Sequence, residues 1–205
     1  MQKTIVKRYS KESAKCSDLS CGSNLGFMDI ELGESVLDLG CGRGNETIEA
    51  ARLAGQNGKA VGLDITPAMI LQARAQAHHA GIPNIDFVHG DIENLPFEDM
   101  TFHAVLSNCV INHARSKKAA YKEIHRVLKP GGRFVISDAV TKEALPDSVK
   151  NDPQAWADCY GGAITEQEYM DSIQTAGFEQ VNILNRREYV KNGYDFISLT
   201  ILAYK

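Results

Sequence analysis

The stretch SVLDLGCGRG, residues 35–44, decides the fold of this chain. Its first half is β-rich and apolar almost without interruption, the pattern of a strand covered on both faces. Its second half places Gly40, Gly42 and Gly44 two residues apart. Residues without a Cβ allow a tight turn and let backbone N–H groups approach a ligand, and the helix that follows turns its partial positive end to the same place. The spacing is G-x-G-x-G and not G-x-G-x-x-G, which argues against a dinucleotide pyrophosphate cradle.

Further strands are expected at 59–64, 85–90, 102–108 and 132–138, with helices at 44–55, 67–80 and 116–128. In the second helix Thr66 is the expected N-cap and Pro67 the first helical residue, while Met69, Ile70, Ala73, Ala77 and Ala80 share one face. LKPGG, 128–132, should end the third helix and turn the chain. Strands alternating with helices imply a parallel sheet. After Asp138 the pattern changes to helices at 147–159 and 165–176, then two β-rich segments, 180–190 and 194–204, joined at KNG as a hairpin. The expected architecture is α/β, a single doubly wound, seven-stranded and mostly parallel sheet of Rossmann-like type with an antiparallel C-terminal hairpin. Ligands of such sheets bind beyond the carboxyl ends of the strands where the strand order reverses.

At 205 residues, one domain is expected. Residues 1–34 form a helical or lid segment, 35–138 the core with the glycine turn, and 139–205 the substrate-side helices and hairpin. A net charge of −4 gives no footprint for nucleic acid or an anionic membrane surface. The start of the chain lacks the apolar core of a signal peptide and no later run is long enough to span a bilayer, so a cytoplasmic protein with a small-molecule partner is expected. Five scattered cysteines read as reduced thiols and not as a disulfide framework. No resident metal site is expected.

Two carboxylates stand at successive strand ends. Asp64 closes the second strand, where it can accept hydrogen bonds from ribose hydroxyls, and Asp91, with Ile92 beside it, follows the third. In this order LDLGCGRG, GLD, GDIENLPF and VLKPGGRFVISD resemble the class I S-adenosylmethionine-dependent methyltransferases over about residues 35–138. The resemblance implies S-adenosylmethionine as cofactor. Gly40, Gly42 and Gly44 would meet its methionine and sugar portion, Asp38 its amino group, Asp64 its ribose, and Asp91 with Ile92 its adenine. Tyr9, Cys41, Ile65 and Asn108 join the implied cofactor-contacting set, although Cys41, inside the glycine turn, also reads as packing and Tyr9 as a helix-face aromatic.

LSNCVIN (106–112), EIHRVLKPGGRFVISD (123–138) and WADCYGGAI (156–164) together resemble the arsenite methyltransferase family. That likeness implies trivalent arsenic held by Cys159 with Cys21, Cys16 being a further candidate; Cys109 is implied to line the cofactor pocket and not to hold arsenic. As(III) is soft and prefers thiolates, and its lone pair can attack a sulfonium methyl without a general base. Ligation displaces the thiol proton as it does at metal sites. The family carries further cysteines, including some in a longer carboxyl-terminal region, whereas FISLTILAYK has none, which favours two thiols over three. The glycines after Cys159 suit close approach of a ligand. His103 reads as a surface substitution, and His113 as a structural histidine or a general base near pH 7. Trp156, three residues before Cys159, either shields the acceptor or anchors its helix. Two alternatives stay open: a methyltransferase for a small organic O, N or C nucleophile, and a non-catalytic protein binding a metalloid or the cofactor.

Overall fold

The computed structural model describes residues 1–13 and 24–205. Its strands are β1 (Ser35–Leu39), β2 (Lys59–Asp64), β3 (Ile85–His89), β4 (Phe102–Asn108), β5 (Leu128–Thr141), β6 (Glu179–Lys191) and β7 (Tyr194–Tyr204). They form one seven-stranded sheet in the order β3-β2-β1-β4-β5-β7-β6. The first five run parallel, and β7 pairs antiparallel with both β5 and β6. The doubly wound sheet with its C-terminal hairpin is therefore as the sequence implied, and the order reverses between β1 and β4.

Successive residues of the central strands are buried because both faces are covered. Leu37, Leu39, Leu63 and Val105 point into a core with Tyr121, Ile124, Tyr169 and Ile173 from α4 (Lys117–Val127) and α7 (Glu166–Thr175). Their neighbours Val36, Ala60, Ala104 and Leu106 pack on the other face with Ala50 and Ala51 of α2 (Asn45–Ala54). On that same side Ile70, Ala73 and Ala77 of α3 (Pro67–His79) close over Phe87. α1 (Gln2–Glu12) lies across the carboxyl ends of the strands. No helix among the described residues is long and apolar enough to cross a membrane.

Three expectations need correction. The helix foreseen at 147–159 is two short ones, α5 (Asp147–Lys150) and α6 (Pro153–Ala157). Pro153 has no N–H to continue α5, and the Asp152 carboxylate accepts from Gln154 N at 2.8 Å to start α6, which leaves Cys159 outside any helix. KPGG does not separate helix from strand: β5 begins at Leu128 directly after α4, and a register shift between Phe102 and Ala104 absorbs the extra residues. Thr66 is the N-cap of α3 and Pro67 its first residue, as expected, although the Thr66 side chain makes no capping bond. His103 is not a bare surface residue, since its Nδ1 accepts from Ser35 N at 2.9 Å and Lys129 Nζ lies 3.0 Å from Nε2.

Arg133 ties the start of β5 to the segment before β1. Its guanidinium donates to both Glu34 carboxylate oxygens at 2.8 Å, to Met28 O at 2.9 Å, and to Asp29 O. Burial by itself would raise the Glu34 carboxyl; the hydrogen bonds from Arg133 outweigh it and hold the group below the usual carboxylate range. A lowered folded-state value stabilises the fold above the unfolded value of about 4.3 and is lost as pH falls through the lower one. Arg133→Met should cost on the order of 2–3 kcal/mol at pH 7, toward the lower end for a pair that keeps some solvent. In urea denaturation the gap between wild type and variant should narrow below about pH 4; a gap that widens on acidification would contradict this account.

Candidate functional site

The glycine turn after β1 is held by β2. Gly40 N and Cys41 N both donate to Leu63 O, at 2.7 and 3.0 Å, and Gly42 N donates to Asp64 Oδ2 at 3.0 Å. Gly40 has φ +69°, and a Cβ there would lie 2.1 Å from Val110 Cγ2, so the turn can lie against the segment after β4 only with glycine. Gly42 has φ +53° and nothing within 4 Å of where its Cβ would be; the turn is open on that side. Asp64 Oδ1 accepts from Thr66 N at 2.7 Å. Burial pushes the Asp64 carboxyl up, and the Thr66 and Gly42 N–H groups partly oppose this. Asp91 accepts from Glu93 N at 3.0 Å through Oδ1 and from Gln2 Nε2 of α1 at 2.9 Å through Oδ2.

These groups open on a cavity of about 470 Å³ beneath α1, at the reversal of strand order. Of the residues expected at a cofactor site, Tyr9, Gly40, Gly42, Asp64, Ile65, Asp91, Ile92 and Asn108 line it. Asp38, Cys41 and Gly44 do not. Asp38 is buried under the turn and accepts from the Thr47 hydroxyl at 2.5 Å; burial raises its carboxyl to about 8. Cys41 packs with Ile48, Ile70 and Phe87, as a small residue in a crowded turn should. Cys16 and Cys21 lie outside the described residues.

Cys159 stands on the far wall of the same cavity. Its φ of +62° is unusual for a residue with a Cβ and costs on the order of 1–3 kcal/mol. The glycines beside it serve backbone packing. A Cβ on Gly162 would lie 2.0 Å from Asn112 O, and one on Gly161 would lie 2.7 Å from Trp156 N, so this turn can pack against the segment after β4. Neither glycine lines the cavity, contrary to the role expected from sequence.

That packing brings three side chains together. The Tyr9 hydroxyl lies 2.8 Å from Cys159 Sγ and 3.2 Å from His113 Nε2, and Sγ lies 3.3 Å from the same nitrogen. Arg8 forms an ion pair with Asp158 at 3.0 Å and donates to Ala157 O, which fastens α1 over the cysteine. Lys191 Nζ, from the end of β6, donates to Asp158 O at 2.8 Å. Burial pushes the Cys159 thiol up; the Tyr9 hydroxyl and the Arg8 charge act against it. Burial pushes His113 down to about 4, helped by the Lys117 and Arg8 charges, so the imidazole is neutral at pH 7.

Arg8 and Lys191 were not among the expected site residues, yet both line the cavity, as Cys109 does in keeping with the family resemblance. Arg8 is adjacent to Tyr9 in sequence. Lys191 carries no local signal, since it reaches the site only through the C-terminal hairpin. Cys109, directly after β4, is disulfide-bonded, which corrects the expectation that all the cysteines are reduced thiols, whereas Cys41 and Cys159 are free thiols.

A model of the methyltransferase domain matches residues 30–177. The arsenite methyltransferase of Halobacterium salinarum is 39% identical over 170 residues, 83% of this chain and 44% of that protein. The chain thus spans about half the length of the arsenite methyltransferases it matches. The ubiquinone/menaquinone biosynthesis C-methyltransferase of Escherichia coli is 32% identical over 181 residues, 76% of this chain and 70% of that one. Among solved structures, CrArsM, an arsenic(III) S-adenosylmethionine methyltransferase from Chlamydomonas reinhardtii, superposes with a TM-score of 0.79 at 30% identity, over 98% of this chain and 73% of that one.

The raised Cys159 thiol makes a prediction that needs no assigned activity. Alkylation of Cys159 by iodoacetamide, followed by peptide mass mapping, should show a pH midpoint above the ordinary thiol value of about 8.5. A midpoint at or below that value would contradict burial as the dominant influence.

Proposed function

The chain belongs to the methyltransferase domain family, and from that membership we propose that it transfers the methyl group of S-adenosylmethionine to trivalent arsenic held by cysteine thiolates. The observation that carries the reading is a free thiol, Cys159, on the wall of the cavity that also receives the glycine turn and the strand-end carboxylates Asp64 and Asp91. The similarity to arsenite methyltransferases supports the same acceptor.

The residues present fit the cofactor. The space left open at Gly42, the half-buried Asp64 carboxylate and the half-buried Asp91 beside buried Ile92 suit, in that order, the methionine and sugar portion, the ribose and the adenine. Gln2 occupies one Asp91 oxygen, so its side chain would yield to an adenine amino group. When bound, S-adenosylmethionine supplies an electrophilic methyl carbon on a sulfonium. The chain's own task is then to hold the nucleophile, since orientation accounts for about 7–11 kcal/mol in well-aligned intramolecular reactions.

For the acceptor, Cys159 is the first thiol. Cys109 lines the same cavity and becomes a second once its disulfide is reduced, which revises the sequence reading that set it aside. Cys21 remains the remote thiol in the proposal, with Cys16 a further candidate. Three residues beyond Cys21 the chain is anchored at this end of the sheet: buried Asn24 donates to Ser107 O at 2.6 Å, two residues before Cys109. Soft thiolates suit As(III), and its lone pair spares the site a base for the methyl transfer itself. The acceptor is a small metalloid species, and a cytoplasmic setting, where thiols stay reduced, suits the proposal.

Two variants separate the halves of the site. Cys159→Ser should abolish arsenite methylation while calorimetric S-adenosylmethionine affinity stays within a few-fold. Asp64→Ala should weaken that affinity about tenfold to a hundredfold, the worth of hydrogen bonds to a charged group. Undiminished turnover by Cys159→Ser would overturn the arsenic reading and favour a small organic acceptor, the second reading, to which the likeness to a quinone C-methyltransferase points.

A further inference from the structure

His113 is a half-buried imidazole in direct reach of the proposed acceptor thiol, and nothing in the methyl transfer described above uses it. It sits on the 3₁₀ turn Ile111–His113, which is built to keep it in place. Asn112 N and Nδ2 donate to the two Asp138 carboxylate oxygens at 2.9 and 2.7 Å, and Lys117 Nζ donates to Asn112 O and Ala114 O at 3.1 and 2.8 Å. Holding a polar ring partly away from water costs free energy, which is offset where its nitrogen has work at a reacting atom. Its Nε2 is directed at Cys159 Sγ, 3.3 Å away, with the Tyr9 hydroxyl bridging both.

We propose that His113 carries the proton of the Cys159 thiol to the hydroxide that leaves trivalent arsenic as the arsenic–sulfur bond forms. The step rests on arsenite being the acceptor. Cys159 reaches the site as a thiol, because burial disfavours its thiolate. In the exchange the S–H bond breaks and its proton passes to Nε2, which is bare in the neutral tautomer protonated at Nδ1. The sulfur electron pair forms the As–S bond, and one As–O bond breaks with its electron pair going to oxygen. The same proton then moves from Nε2 to that oxygen, and water departs. Arsenic stays trivalent, so no oxidant or reductant is needed. Tyr9 donates its hydroxyl hydrogen bond to sulfur as negative charge develops there. The Arg8 and Lys117 charges around the ring favour its returning to the neutral state.

A proton carrier speeds the exchange equally in both directions, whereas a ligand or a structural prop changes the equilibrium. The chain has one tryptophan, Trp156, whose carbonyl accepts from Cys159 N at 3.1 Å, so its fluorescence is suited to follow arsenite uptake. In stopped-flow measurements on the reduced full chain, His113→Gln and His113→Leu should each slow association and dissociation of arsenite by about 10²-fold. Their ratio, Kd, should stay within a few-fold of wild type, and association to wild type should be slower in heavy water. Unchanged rates in a folded variant, a Kd weakened through faster dissociation, or no effect of heavy water on wild type would each overturn the proposal. The last of these needs no variant to fold. Arsenite that fails to bind wild type in equilibrium dialysis would instead sink the acceptor reading, and this step with it.

Discussion

The segment after β4 is wedged between two glycines, and the rest of the site depends on that fit. On one side a Cβ at Gly40 would run into Val110, at 2.1 Å; on the other a Cβ at Gly162 would run into Asn112 O, at 2.0 Å. One segment of five residues, 109–113, therefore sets the distance between the half of the cavity built from β1 and β2 and the half that carries Cys159. Packed interiors do not deform smoothly, so contacts this close fix geometry and do not merely tolerate it. The parallel order of β2, β1 and β4 creates the crevice, and the two missing Cβ atoms decide its width.

Beneath the same segment lies a buried polar network. Asp138 accepts from Asn112 and from Ala139 N, and Lys117 is directed at the carbonyls of Asn112 and Ala114 with its ammonium over the Trp156 ring. Burial raises the Asp138 carboxyl and lowers the Lys117 ammonium, while their mutual attraction works against both shifts. Such networks are costly when half satisfied and rigid when complete. This one fixes the backbone on either side of His113 and, through Trp156, the turn leading to Cys159.

α1 links the two ends of the cavity. Gln2 reaches Asp91 at one end, and Arg8 and Tyr9 reach the turn that bears Cys159 at the other. One helix thus touches both the carboxylate proposed to meet the cofactor's base and the thiol proposed to hold the acceptor. The hairpin of β6 and β7 contributes from the opposite edge, where Lys191 holds Asp158 in place beside them.

The sheet was legible in the sequence because its signals are local. Near-continuous apolar strands, the spaced glycines and the acidic residues at the ends of strands are each read within a few residues. The strand-end half of the site was legible for the same reason, since Asp64, Asp91 and the glycine turn lie at positions fixed by the strands before them. The break of the 147–159 helix at Pro153 also had a local cause, but it was masked by a helical pattern of apolar residues on both sides. What the tertiary structure decided is which remote groups meet. Tyr9, His113 and Cys159 are separated by 104 and 46 positions along the chain, and no periodicity connects them. Their meeting follows from how closely three backbone segments can pack, and that depends on side-chain atoms absent from Gly40 and Gly162, whose neighbours in space the sequence does not name.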